Sequence, residues 1–190
     1  MARSSTDSEQ RLLMETVKAI EKHGYRNISL RDIASAAGLT TGSLYRHFST
    51  KEDLLVRAGY LVSENLAKLV LADEEEHPNA FDKLLRIGIK LLSLTQSNPN
   101  LVDFFFYGPL YAKAAKEGYE DKPPMFLSKL NEIVAQACRQ YPNAIDPNLL
   151  FTQVWSFIQG YSALVRHGIV AYDERSLRLT LQDFLGVSRH

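Results

Sequence analysis

Apolar residues recur at helical spacing along almost the whole chain, and no sustained run alternates with period two. Leu13, Val17 and Ile20 place an apolar face on residues 8–23, and Gly24 follows as a stop signal. Ser29 and Asp32 form a capping-box pattern that opens a short helix ending near Ala36. A turn at 36–39 leads into a second short helix at 40–47. Thr50 and Asp53 repeat the capping pattern ahead of a longer helix that runs to Leu71. The stretch 73–79 reads as an exposed loop, followed by helices at 81–95, 101–107 and 111–116. A polar loop covers 116–124, and helices follow at 125–140, 147–167 and 174–185, the last two opened by Asp146-Pro147 and Asp173. The fold class this predicts is all-α, with about nine helices. Residues 1–50 form a small three-helix head, a connecting helix covers 50–71, and a larger helical domain covers 72–190.

Composition adds little to this picture. The chain is 45% hydrophobic and 23% charged, which is ordinary for a globular protein. Formal net charge is zero, which at first argues against a nucleic-acid partner. The charges divide unevenly: residues 1–57 hold nine Lys or Arg against seven Asp or Glu, a small positive excess. A single cysteine, Cys138, forbids an internal disulfide and fits a reducing compartment. The polar start MARSSTDSEQ carries no signal-peptide pattern, and no run of 18 apolar residues exists. A cytoplasmic protein with no membrane association is expected.

The informative stretch is 29–48, which reads as two helices joined by a tight turn. Ala34 and Gly38 are small residues at the expected crossing of these helices, and Ile33, Leu39 and Leu44 supply apolar contacts. The second helix opens with Thr40, Thr41, Gly42 and Ser43, all weak helix formers. Small polar residues there suit a helix whose leading edge enters the major groove. Hydroxyls reach phosphates or bases, threonine methyls meet thymine, and glycine allows close approach. Tyr45, Arg46 and His47 add longer polar groups. Lys51 opens the next helix, where its charge and free N–H groups can meet a phosphate. Phe48, Leu54 and Leu55 read as core.

The run GYRNISLRDIASAAGLTTGSLYRHFSTKEDLL resembles the N-terminal DNA-binding domain of the TetR family of transcriptional regulators. The matching positions are Gly24-Tyr25, Ile33-Ala34 and Ala37-Gly38-Leu39. Leu44-Tyr45, His47-Phe48, Lys51 and Leu54-Leu55 complete the match. Over 58–190 the match is one of architecture only. The resemblance implies a homodimer on a palindromic operator, usually a repressor, with a small-molecule effector bound among the C-terminal helices. Carried onto this chain, the groove-facing set is Thr40, Thr41, Gly42, Ser43, Tyr45 and His47. Lys51 takes a phosphate, and Ser29, Arg31 and Arg46 are further DNA contacts. No cofactor is implied.

Two functions then share the C-terminal helices. The aromatic run LVDFFFYGPLY at 101–111 and the helix at 147–167 suggest an effector pocket using Phe104, Tyr107, Tyr111, Trp155 and Gln159. Three consecutive phenylalanines cannot share one helix face, so at least one of Phe104, Phe105 and Phe106 is expected to point away from the main core. Such a pocket favours an apolar or aromatic effector. The last two long helices are the family's usual dimer interface, which nominates Phe157, Tyr161, Leu164, Leu177, Leu181 and Phe184. An enzyme is the competing class, but the five histidines show no metal-ligand spacing and Gly160-Tyr161-Ser162 lacks the G-x-S-x-G frame. A helical module that only binds other proteins would have no reason to keep the Thr-Thr-Gly-Ser edge.

Overall fold

The computed structural model describes residues 2–71, 78–118, 123–141 and 146–187. Ten helices and no strand occur among the described residues. They are α1 (Ala2–His23), α2 (Leu30–Ala36), α3 (Thr41–His47), α4 (Lys51–Val70), α5 (Ala80–Ser97), α6 (Pro99–Tyr107), α7 (Pro109–Glu117), α8 (Met125–Gln140), α9 (Pro147–Arg166) and α10 (Glu174–Leu185). The centres of the loops expected at 73–79 and 116–124, residues 73–77 and 119–122, lie outside the described residues. No described helix is long and apolar enough to cross a membrane.

The chain divides into two compact units, Met1–Glu64 with Asn98–Pro123, and Asn65–Ser97 with Pro124–His190. The division falls inside α4, and it groups α6 and α7 with the head helices.

In the first unit α1 buries Leu12, Thr16 and Ile20, one residue off the Leu13–Val17 register read from the sequence at its first two positions. Thr16 hides the true face, because its hydroxyl donates to the Leu12 carbonyl at 2.7 Å and so tolerates full burial. Ile33, Leu44, Phe48 and Leu54 close this core. Each such side chain contributes roughly 1.5–3 kcal/mol of transfer free energy. Phe104, Phe105 and Phe106 are all buried, so none points to solvent. Since three consecutive residues cannot share one helix face, their joint burial means that α6 is covered on more than one side. Phe104 meets Tyr25 at 5.5 Å between ring centroids, while Phe105 meets Tyr111 edge-on at 6.0 Å.

In the second unit α5 packs on α8, α9 and α10. Its start is held by the end of α8. The Asn79 side-chain oxygen accepts from the Phe81 N–H and the Tyr141 hydroxyl at 2.8 and 2.7 Å. Gln140 accepts from the Ala80 N–H at 2.7 Å. α9 opens as its sequence predicts, with Asp146 accepting from the Asn148 and Leu149 N–H groups and Pro147 in the first turn.

Candidate nucleic-acid interface

Three hydroxyl caps build the head. Ser29 accepts from the Asp32 N–H at 3.3 Å, Thr40 from the Ser43 N–H at 3.1 Å, and Thr50 from the Asp53 N–H at 3.0 Å. The Asp53 carboxylate reaches back to the Ser49 N–H at 2.9 Å, completing the last cap. α2 and α3 have seven residues each, too short to persist alone, so these caps and the core fix where they begin.

The turn between them owes its shape to Gly38. Its φ is +69°, its N–H donates to Ser35 O, and the Leu39 N–H donates to Ala34 O, the double closure of a Schellman motif. A Cβ there would meet only the Arg11 guanidinium, at 3.9 Å. Gly38 is therefore needed for its left-handed backbone and not for a close helix crossing, which corrects the sequence-level reason for it. Arg11 also donates to Ala37 O at 3.2 Å and ties the turn to α1.

Leu44 is the one buried residue of α3. Thr40, Gly42, Tyr45 and Arg46 are exposed, and Thr41, Ser43 and His47 are half-buried. Tyr45 is 52% exposed, a large aromatic surface with no packing role in the chain. A Cβ on Gly42 would find only Thr40 Oγ1 at 3.8 Å, so the fold leaves this edge open. Arg46 lies back along its own helix and donates to Ser43 Oγ at 2.6 Å. Thr40 and Ser43 thus use their oxygens as acceptors, and their hydroxyl hydrogens remain available to donate to a phosphate or a base.

Lys51 carries a structural duty that sequence reasoning missed. Its ammonium donates to Arg26 O at 3.3 Å and Ile28 O at 3.1 Å, which leaves one N–H for an outside partner. The same segment is held by α6. The Tyr25 hydroxyl donates to Tyr107 O at 2.9 Å, Arg26 pairs with Asp103 at 3.3 Å, and Asn100 donates to Glu21 O at 2.9 Å. Burial pushes the Tyr25 pKa up, with smaller opposing effects from Arg26 and Asp103, so the phenol stays a donor. Ser29 and Arg31 are exposed at the start of α2.

The residues read as an effector pocket are divided between the two units. Phe104, Tyr107 and Tyr111 belong to the first unit, where Phe104 is core, Tyr111 is half-buried and Tyr107 is 48% exposed. Trp155 and Gln159 belong to the second unit. Trp155 lines a cavity there between α5, α8, α9 and α10, and Gln159 is not among its lining residues. The cavity measures about 40 Å³. Phe157, Leu177, Leu181 and Phe184, read as interface residues, line this cavity too. Leu177 and Leu181 are buried against the chain's own helices, and Tyr161 is buried with its hydroxyl accepting from the Asp173 N–H at 2.9 Å. These three are largely buried against the chain's own helices. Leu164 is 39% exposed, and beyond it Ile169 is 68% exposed. Gly160, exposed on α9, has no atom within 4 Å of its Cβ position.

The comparisons agree with this geometry. The family model for bacterial regulatory proteins of the tetR family matches residues 12–58, which span α1 through the first turns of α4. The HTH-type transcriptional regulator PksA of Bacillus subtilis is 26% identical over 122 residues, 63% of this chain and 58% of PksA. The chain therefore matches a little over half the length of that relative. A TetR family regulator from Marinobacter aquaeolei superposes with a TM-score of 0.64 at 20% identity, over 98% of this chain and 97% of that one. RolR, solved in complex with resorcinol, gives a TM-score of 0.67 at 13% identity, over 95% and 96% of the two chains. At such identities the two structures speak for the fold. Taken with the helix-turn-helix and its capped, open-edged second helix, these matches show that residues 12–58 form a DNA-binding domain of the bacterial tetR regulatory family, on a chain with the all-α fold of solved TetR-family regulators.

Proposed function

We propose that the protein is a ligand-responsive transcriptional repressor, bound as a homodimer to a palindromic operator and released by a small, largely apolar or aromatic effector. The observation that carries this is the open edge of α3, where Thr40 to Ser43 present small polar groups to solvent and only Leu44 packs inward. Such an edge brings a helix backbone close to base edges, while Tyr45, His47 and the remaining Lys51 N–H reach the flanking phosphates. Ser29, Arg31 and Arg46 stand at its margins. A near-neutral head has few cations with which to displace counterions, so one copy would bind weakly; two copies on a two-fold site double the phosphate contacts.

Gly160 and Leu164, one turn apart on α9, together with Ile169, are exposed and suit contact with a second subunit. An exposed glycine inside a long helix costs helix stability, and close approach of another helix gives it a use. The apolar cavity beside Trp155 supports an uncharged effector.

Fluorescence anisotropy on duplexes from the gene's own upstream region, titrated with salt, tests the reading. Specific binding that weakens steeply as salt rises, with two protomers per site, is the expected result. Absence of specific binding at every upstream site would overturn it.

A further inference from the structure

Gly88 lies in the interior of α5 with ordinary helical backbone, where alanine is the better helix former. A Cβ on it would sit 3.6 Å from both Leu177 methyls and 3.8 Å from Ile158 Cδ1, ordinary packing distances. An alanine methyl would fit without a clash and would fill space. Gly59 is different: a Cβ there would come within 2.9 Å of Leu110 Cβ, so that glycine is required by the packing of α4 on α7. Helix propensity and burial both favour a methyl at 88, and no contact within the chain forbids it. The space it leaves open is part of the cavity beside Trp155.

The size and walls of that cavity restrict what enters. Leu84, Leu91, Ile158, Leu177 and Phe184 are typical of the lining, and Trp155 alone among the lining side chains carries a heteroatom. Nothing there can neutralise a charge, and little can satisfy a polar group, so the part of a ligand held inside is hydrocarbon. A benzene ring occupies a protein cavity of about 150 Å³. The present cavity is about 40 Å³, too small for a ring yet larger than one water requires. It also opens toward the surface, so a slim ligand can extend out of it.

We infer that this cavity receives the unbranched hydrocarbon chain of a lipid-like effector, and that Gly88 keeps open the space the chain end occupies. This rests on reading the second unit as the effector-binding part of a repressor, and narrows the effector to chains instead of rings.

The sequence contains one tryptophan, Trp155, so its emission reports on the cavity directly. Decan-1-ol should change that emission saturably, and toluene should leave it unchanged. Gly88→Ala should weaken decan-1-ol binding at least tenfold while raising Tm by about 2–4 °C, since it improves the helix. Equal decan-1-ol binding by wild type and Gly88→Ala, or binding of toluene as tight as that of decan-1-ol, overturns the assignment. Anisotropy of an upstream duplex with and without decan-1-ol separates the two readings. Decan-1-ol bound with Gly88 dependence but without DNA release supports the cavity assignment and overturns its role as an effector site.

Discussion

The edge of α3 and the inner face of α5 each keep a glycine that the chain's own packing does not require, and their surroundings are opposite. Beside Gly42 stands the Thr40 hydroxyl, with the exposed Tyr45 three residues on. Around Gly88 stand Leu177 and Ile158, turned inward. An interior helix glycine costs about 1 kcal/mol relative to alanine, which is the local loss at Gly88 in the middle of α5; Gly42, the second residue of α3, costs its helix less. The comparison separates the question of where a partner approaches from the question of what it is. An unneeded glycine marks the place. On the readings proposed above, its neighbours give the chemistry, polar and anionic at α3, hydrocarbon at α5.

Substitutions can break this comparison. The largest effect is expected from Gly42→Leu, which fills the open edge of α3. Operator affinity should fall by about a hundredfold or more, near 3 kcal/mol, with Tm moving only slightly. Anisotropy and thermal melting on one preparation decide it, and a large fall in Tm would move Gly42 into the class of Gly59. Gly59→Val is the counterpart. Its branched side chain meets Leu110 and should destabilise the protein by roughly 1–3 kcal/mol, read by urea titration, and its folded fraction should still bind DNA. A well-tolerated valine would remove the distinction between needed and unneeded glycines.

Thr40→Ala comes next, because Thr40 serves both structure and recognition. Loss of the cap should cost about 1 kcal/mol of stability, and operator binding should drop several-fold beyond it. Restoration of stability but not affinity by Thr40→Asp would separate the two roles, since a carboxylate caps well yet repels phosphate. The smallest effect is expected for Asp103→Asn. Its partner Arg26 is mostly exposed, so removing the pair should change stability by less than about 1 kcal/mol. A larger loss in a melt would mean that the clasp of α6 on the α1–α2 connection is stronger than its exposure implies.

How much could be read in advance follows the reach of each interaction. Ser29 with Asp32, Thr40 with Ser43 and Thr50 with Asp53 span three residues each, so spacing alone exposes the caps and, with them, the open edge between. Gly38 was visible as important but not for the right reason, because a left-handed backbone and a tight crossing both select glycine. Tyr25 and Tyr107 are 82 positions apart, and Lys51 holds carbonyls 23 and 25 positions away, distances at which no periodicity operates. In the C-terminal helices an apolar side chain suits core, cavity and interface equally well. Tyr161, Leu177 and Leu181 therefore read as interface residues while the chain uses them internally. Gly88 left no signal as a lone helix glycine, since its meaning lies in the 3.6 Å to Leu177.

The cap at Thr40 has a consequence for how such a protein diverges. Its oxygen holds the first turn of α3, so replacing it to alter sequence preference also loosens the helix that reads the sequence. Thr41, Gly42, Tyr45 and His47 accept no such hydrogen bond from the backbone and are not the buried anchor of their helix. On the proposed reading, Thr41 can therefore change without loss of the cap, whereas Thr40 can be exchanged only for another capping residue unless stability has been gained elsewhere.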